Sequence, residues 1–180
     1  MRTSISRRDF LILTAKGVGA AVISSGLMGC NSSDGDRDVS VSFNHGVASG
    51  DPTQTAIILW TRVTPEATAS IKVAWEIATD AAFTNIVNSG DTLTNQDRDY
   101  TVKVDAIDLT PGTQYFYRFI TNGETTTTGK TKTLPEGAIA SAKLAVMSCA
   151  NYPAGHFNVY NLASQIDDLD AVLHLGDYIY

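Results

Sequence analysis

Three residues near the end of the chain carry side chains that could bind a metal ion. Cys149 follows an apolar run, Asp177 follows a second apolar run and Gly176, and Tyr180 lies three residues further on. Thiolate, carboxylate and phenolate are all anionic and together suit trivalent iron, although thiolates are also used by zinc and copper. The glycine before the aspartate leaves room for a ligand to approach the backbone closely. These residue types at this spacing indicate a candidate metal site.

Two short strands and an intervening helix must position these side chains. Residues 143–149 and 171–175 are continuous apolar runs, which predict strands buried on both faces as in parallel sheets. Apolar positions between His156 and about Asp168 are compatible with an amphipathic helix. Such a crossover makes the two strands parallel, and open α/β folds bind ligands at the carboxyl ends of their strands. We therefore expect Cys149 and Asp177 to meet at one sheet edge.

Upstream of the linker at residues 134–138, the pattern is that of short strands. Four runs rich in β-branched and aromatic residues are separated by turn residues, namely 56–63, 71–78, 100–105 and 115–120. Strands spaced about ten residues apart indicate an all-β sandwich over residues 39–135. Trp60 and Trp75 lie in the middle of two of these strands, and we expect both to pack in the core.

The segment LTPGTQYFYRF at residues 109–119 resembles the E–F corner of a fibronectin type III domain. There a leucine caps the core, Pro-Gly makes the turn and a tyrosine hydroxyl bonds to the backbone a few residues upstream. Tyr115 is the candidate for that tyrosine. The alternating aromatic residues could instead form a sugar- or peptide-binding surface, but their spacing is that of one strand face, which favours core packing.

The first thirty residues are typical of an export signal. Arg7 and Arg8, followed by Phe10 and Leu11, resemble the twin-arginine motif, and the apolar stretch that follows is interrupted by Lys16 and several glycines. A permanent membrane anchor is the alternative, but a membrane span needs about 20 predominantly apolar residues. We expect residues 1–30 to be a signal peptide recognised by the twin-arginine export machinery.

The segment LMGC at residues 27–30 resembles a lipobox, which predicts lipidation of Cys30. Residues 31–38 are small and polar, as expected of a tether between the lipid and the domain. The sequence thus predicts a periplasmic or cell-envelope protein held at the membrane by its lipid anchor.

The sequence leaves several roles open for Cys149. The chain contains two cysteines, and the context of Cys30 is so different that we do not expect a disulfide between them. An odd cysteine in an oxidising compartment is a free reactive thiol, an intermolecular disulfide or a ligand, and a buried structural thiol is a further alternative. His174 is expected to pack in the core and His156 to lie at the surface.

Composition restricts the possible partners. Apolar residues make up 43% of the 180-residue chain, which is enough for a packed core. Residues 31–180 carry nine basic and eighteen acidic side chains, so that nucleic acid is not an expected partner. An anionic substrate would need local positive charge, which a bound metal can supply.

The motifs taken together resemble the PhoD-type alkaline phosphatase and phosphodiesterase family. The segments that carry the resemblance are SCANYP at 148–153 and HLGDYIY at 174–180, with FNHGVASGDP at 43–52 and IILWTR at 57–62 matching the start of the family's N-terminal β domain. The resemblance implies a fibronectin-like β-sandwich followed by the first strand–helix–strand of a metallophosphatase α/β domain, which begins at residue 141 and is incomplete at 180.

The resemblance also implies a reaction and its cofactors. In that family the residues matching Cys149 and Tyr180 ligate Fe³⁺, and the residue matching the catalytic Asp177 bridges Fe³⁺ and Ca²⁺. The implied reaction is the metal-assisted hydrolysis of phosphate mono- or diesters. The family's later asparagine and histidine ligands are absent from these residues, so we expect the chain to be a fragment that is inactive alone.

Two alternatives remain open. A lipid-anchored fibronectin-like binding module with a vestigial catalytic tail would explain residues 39–135 equally well, but it gives no role to Cys149, Asp177 and Tyr180. A purple acid phosphatase would share the aspartate and the tyrosine, but a cysteine at the end of the first strand argues against it.

Overall fold

The structure, a computed structural model, describes residues 39–180. The predicted signal peptide with Arg7, Arg8 and Cys30, and the predicted tether, lie outside these residues. Within residues 39–180, no helix has the length and apolar character needed to cross a membrane.

The described part of the chain is mostly β-strand. Its elements in chain order are β1 (Val41–Ser42), β2 (Val47–Gly50), β3 (Ile57–Arg62), β4 (Thr64–Pro65), β5 (Ile71–Ala78), β6 (Ile86–Thr94), β7 (Thr101–Ala106), β8 (Gln114–Thr121), β9 (Glu124–Thr125), β10 (Gly129–Lys132), β11 (Leu144–Met147), α1 (Asn158–Ser164) and β12 (Ala171–His174). The four strands predicted before residue 135 correspond to β3, β5, β7 and β8, and their bounds agree to within two residues.

The first ten strands, which we call the β region, form two main antiparallel sheets. One has the order β2-β3-β7, and the other has the order β10-β8-β5-β6 with β9 beside β8. β1 and β4 form a separate two-stranded ribbon. Buried apolar residues of β3, β5, β7 and β8 form one cluster, so the two main sheets share a single hydrophobic core.

Alternation along the strands explains which aromatic residues enter this core. Tyr115, Tyr117 and Phe119 lie on one face of β8 and are buried, as predicted from their spacing. Trp75 is also buried. The core position expected for Trp60 is wrong, because Trp60 alternates with the buried residues of β3 and is only half-buried.

The turn before β8 contains the hydrogen bond predicted for Tyr115. The backbone N–H of Thr110 donates to the Tyr115 hydroxyl oxygen at 2.8 Å. The Thr133 hydroxyl donates to the Thr110 carbonyl at 2.7 Å, and the N–H of Thr113 donates to the same hydroxyl at 2.9 Å. These bonds fix the corner at the point where the chain enters β8.

The last forty residues contain the predicted strand, helix and strand. β11 and β12 pair in parallel, from Leu144 beside Ala171 to Met147 beside His174. We call residues 143–180 the α/β segment. Its helix is shorter than predicted: α1 has seven residues, and Phe157 at its N-cap makes no side-chain capping bond. An uncapped helix start leaves backbone N–H groups unpaired, which limits the helix.

The prediction that both apolar strands are buried on both faces is wrong for the described residues. Val146 is 58% exposed and Val172 is 56% exposed. The physical reason is that one short helix cannot cover both faces of the two-stranded sheet. Apolar runs of this kind are buried only where helices pack on both sides of the sheet.

Lysines of β10 bind the α/β segment. Lys132 Nζ lies 2.6 Å from an Asp170 carboxylate oxygen, and Lys130 Nζ donates to the Asp167 carbonyl at 2.8 Å. The other carboxylate oxygen of Asp170 accepts the backbone N–H of Lys143 at 2.8 Å. Asp170 therefore joins β10 to the start of β11.

Candidate metal centre

The loops that follow β11 and β12 run side by side. The N–H of Cys149 donates to the Gly176 carbonyl at 3.1 Å, and the N–H of Ala150 donates to the Asp177 carbonyl at 2.8 Å. The N–H of Tyr180 then donates to the Ala150 carbonyl at 2.9 Å. These main-chain bonds extend the parallel pairing beyond the strands and hold both loops at the carboxyl edge of the sheet.

The three predicted ligands converge at this edge. Cys149 Sγ lies 3.7 Å from a carboxylate oxygen of Asp177, and the Tyr180 hydroxyl donates to the same oxygen at 2.6 Å. The Tyr180 hydroxyl oxygen is 4.0 Å from Cys149 Sγ. The structure thus confirms that the crossover brings Cys149 and Asp177 together and that Tyr180 reaches the same place; their role as ligands stays a prediction.

The backbone at this edge is held in the left-handed region. Cys149 has a φ of 60°, Asp177 a φ of 50° and Gly176 a φ of 116°. Aspartate tolerates this region better than most residues, whereas cysteine gains nothing from it. Non-glycine residues in such conformations cost of order 1–3 kcal/mol each and are concentrated at functional sites. The strain lies on two of the three residues predicted to be metal ligands.

Electrostatics at the site favour a cation. The hydrogen bond to the Asp177 carboxylate, with a second one to Cys149, raises the pKa of Tyr180 to about 12. In the described part of the chain, Asp177 forms no ion pair with lysine or arginine. The α/β segment itself contains one lysine, Lys143, and four aspartates. A cation would neutralise an acidic site and displace the phenol proton.

The donor set fits a metal only in part. Cys149 is exposed, so the alternative of a buried structural thiol is wrong. No group of three or more His, Cys, Asp or Glu side chains within residues 39–180 is arranged to hold a metal ion. Tyr180 supplies the third donor here, and a thiolate, a carboxylate and a phenolate match the preferences of trivalent iron. Three donors leave the rest of the coordination shell to be filled by other groups.

A cavity of about 350 Å³ adjoins Cys149. Asn151 and His156 contribute polar side chains to its wall, and Phe157 and Tyr160 contribute aromatic ones. His156 is exposed, as predicted. The cavity gives a small ligand access to the thiol side of the site.

Sequence reasoning misplaced His174. It is the last residue of β12 and is half-buried against aromatic rings, not packed in a core. Its Nε2 lies 3.0 Å from the Tyr160 hydroxyl. No signal in the sequence paired these two residues, because they lie on different elements and have no motif spacing.

Comparison with known proteins identifies the family of the chain. The family model of the N-terminal domain of PhoD-like phosphatases matches residues 29–135, and the model of PhoD-like phosphatases matches residues 144–180. Alkaline phosphatase D of Bacillus subtilis (strain 168) is 39% identical over 150 residues, which is 78% of this chain and 26% of that protein.

A solved structure of PhoD shows the same similarity in three dimensions. It superposes with a TM-score of 0.68 at 38% identity, covering 75% of this chain and 27% of that chain. The chain therefore spans about a quarter of the length of the relatives that it matches. With its two family segments in the order found here, the chain belongs to the PhoD-like phosphatase family.

Proposed function

We propose that this chain is the N-terminal part of an alkaline phosphatase or phosphodiesterase that hydrolyses phosphate esters at a metal centre. The observation that carries the proposal is the convergence of Cys149, Asp177 and Tyr180 at the ends of β11 and β12. Because the chain spans about a quarter of its relatives, turnover requires groups beyond those described.

Cys149, Asp177 and Tyr180 would hold Fe³⁺, and Asp177 would also contact Ca²⁺, as the family resemblance implies. The bound metals would supply positive charge that polarises the phosphate ester and activates water for its hydrolysis. The residues of this chain would hold the donor atoms in place. The main-chain hydrogen bonds from Cys149 to Gly176 and from Ala150 to Asp177 fix both loops before a metal binds. Preorganised donors need less rearrangement on binding.

Metal titration of the full chain tests the site. We expect Fe³⁺ to give a visible phenolate charge-transfer band that Tyr180→Phe abolishes and that Asp177→Asn and Cys149→Ser weaken. Tyr178→Phe is the matched control, because Tyr178 is equally exposed and contacts none of the three donors through a hydrogen bond. A band that survives Tyr180→Phe would refute the assignment.

Activity is to be tested in the product of the whole gene, with any residues that it encodes after Tyr180. Hydrolysis of p-nitrophenyl phosphate and of bis(p-nitrophenyl) phosphate compares monoester with diester substrates. Asp177→Asn is expected to remove turnover of both, because it removes the carboxylate assigned to both metals. Retained turnover in that variant would exclude the phosphatase proposal.

We further propose that the protein is exported by the twin-arginine pathway and anchored in the cell envelope through lipidated Cys30. The support is the sequence of residues 1–30 alone. Replacing Arg7 and Arg8 by lysine should retain the precursor inside the cell, and Cys30→Ser should release the mature chain from the membrane. Mass spectrometry that finds an unmodified N-terminus at another residue would contradict the lipid anchor.

For the β region we propose a fibronectin type III-like sandwich, supported by its shared core and by the bond to Tyr115. A binding function of this region is the second candidate, because its core draws only on residues before the α/β segment. The variant with both Cys149→Ser and Asp177→Asn lacks two of the proposed metal ligands. Capture of a cell-envelope component by this variant would favour a binding function of the β region.

A further inference from the structure

His174 is surrounded by aromatic rings at the carboxyl end of β12. Its ring stacks on that of Tyr160, with centroids 6.3 Å apart and planes inclined by 23°. The ring of Tyr178 meets it edge-on with centroids 4.9 Å apart. The proposed metal chemistry gives this histidine no part, although it lies three residues before Asp177.

Hydrogen bonds determine which ring nitrogen carries the proton. The backbone N–H of Gly176 donates to His174 Nδ1 at 3.3 Å. An N–H group can only donate, so Nδ1 is the acceptor and a neutral ring has its proton on Nε2. Nε2 then donates to the Tyr160 hydroxyl oxygen at 3.0 Å. Gly176 therefore fixes the tautomer of His174, and the bond to Tyr160 of α1 fixes the orientation of its ring.

The bonded glycine connects His174 to both loops of the candidate metal centre. The Gly176 N–H is held by His174, and its carbonyl accepts the N–H of Cys149 at 3.1 Å. Gly176 has a φ of 116° and precedes Asp177 in the left-handed region at a φ of 50°. Glycine tolerates its positive φ, but Asp177 is strained in this region, so the hydrogen bonds of the turn help to maintain it.

We infer that His174, oriented by Tyr160, is a positioning residue that holds the Gly176–Asp177 turn and thereby places the Asp177 carboxylate beside Cys149. Its significance for metal binding rests on the proposed function. The same logic operates around metal sites in general, where groups that orient the ligands alter metal affinity by about 10- to 100-fold.

Two substitutions of His174 distinguish the roles of the two ring nitrogens. In His174→Asn, the carboxamide oxygen can occupy the Nδ1 position and accept the Gly176 N–H, whereas in His174→Gln the carboxamide lies nearer the Nε2 position. We expect hydrogen exchange of the Gly176 amide, measured by NMR on the full chain, to be about two- to tenfold faster in His174→Gln and His174→Ala than in the wild type. His174→Asn should stay close to the wild type.

Iron affinity provides the second readout. Measured by competition with a chelator, it should fall about 10- to 100-fold in His174→Gln and His174→Ala and be largely retained in His174→Asn. His45→Gln is the control, because the ring of His45 lies 3.5 Å from the Arg62 guanidinium of β3 and belongs to the β region. Long-range ¹H–¹⁵N correlations should show the Nε2–H tautomer of His174 in the wild type and in Tyr160→Phe, because the Gly176 N–H still donates to Nδ1 in both. The Gly176 amide should exchange faster in Tyr160→Phe, which lacks the bond that orients the ring.

The outcomes separate this inference from the proposed function. Equal Gly176 exchange in all His174 variants, or an Nδ1–H tautomer, overturns the positioning role. If the wild type binds no iron, the metal assignment fails, and the exchange rates and the tautomer still decide the role of His174. If exchange responds as expected but iron affinity is equal in all variants, the turn does not position the ligands and the inference is wrong.

Discussion

The hydroxyl group of Tyr115 stabilises the corner at the start of β8. Its hydroxyl oxygen accepts the backbone N–H of Thr110 at 2.8 Å, and its ring is 2% exposed. Tyr115→Phe would leave that N–H without its acceptor in a partly buried place, so we expect a loss of about 1–3 kcal/mol in the free energy of unfolding. Urea denaturation measures it, with Tyr152→Phe as the exposed control. Equal midpoints for Tyr115→Phe and the wild type would contradict the corner.

Asp80 closes the turn between β5 and β6. Its carboxylate accepts backbone N–H groups from Ala82, Thr84 and Asn85 at 3.0, 3.1 and 2.8 Å. The bonds from Thr84 and Asn85 are the main cause that lowers the pKa of Asp80. A carboxylate with several N–H donors organises the backbone of a turn, as in Asx turns.

The lowered pKa of Asp80 predicts a pH dependence. Because the folded-state pKa lies below the unfolded value of about 3.9, the stabilisation is fully present above about pH 4 and is lost as the pH falls through the folded-state pKa. Asp80→Ala should therefore lower the melting temperature at neutral pH, and its difference from the wild type should narrow in acid. Asp105→Ala, which removes an exposed carboxylate without hydrogen bonds, should show neither effect. A difference that is constant with pH would refute the role of the charge.

At the scale of single elements, β10 can lie close to β8 because Gly129 has no side chain. Gly129 lies opposite Tyr117, and a Cβ at Gly129 would lie 2.3 Å from Cζ of that buried ring. Gly129→Ala must displace the ring or the edge strand, so we expect a loss of about 1–3 kcal/mol in the free energy of unfolding. Gly50→Ala in β2 is the matched control, because nothing lies within 4 Å of its Cβ position. Equal effects of the two variants would show that the Tyr117 ring does not determine the result, because the entropy of the unfolded chain alone favours alanine over glycine.

The α/β segment presents apolar strand faces to solvent. Val146, Val172 and Leu175 are 58%, 56% and 73% exposed, and Val159 and Leu162 of α1 are exposed as well. This contrasts with the β region, where the strand faces meet in one core. The β region therefore has a packed core of its own, whereas the α/β segment is held by polar contacts such as those of Lys132 with Asp170 and of Lys130 with Asp167.

At the scale of the whole molecule, Asp170 connects the α/β segment to the β region. One carboxylate oxygen lies 2.6 Å from Lys132 Nζ and the other accepts the N–H of Lys143 at 2.8 Å. Asp170→Asn should speed proteolysis between residues 134 and 143 without changing the melting of the β region. High salt should do the same in the wild type, because exposed ion pairs are screened. Unchanged cleavage in Asp170→Asn would show that other contacts hold the segment.

Much of this fold and site could be predicted from local patterns. Period-two alternation identified β3, β5, β7 and β8, because a strand with one buried face must alternate wherever it lies. The weakly patterned β6, with its exposed Val87 and Leu93, was missed because it carries little of the core. The convergence of Cys149 and Asp177 follows from the parallel direction of the two strands in a strand–helix–strand connection, because parallel strands end at the same edge of the sheet.

The family, the order of its two segments and the candidate ligands can be predicted from sequence alone, because motifs and alternation are local properties of the chain. The three-dimensional arrangement was needed to show that Tyr160 contacts His174, that Cys149 and Asp177 have positive φ, and that apolar residues of β11 and β12 are exposed within residues 39–180. Each of these depends on groups from different elements meeting in space, and neither composition nor spacing along one strand specifies which groups meet.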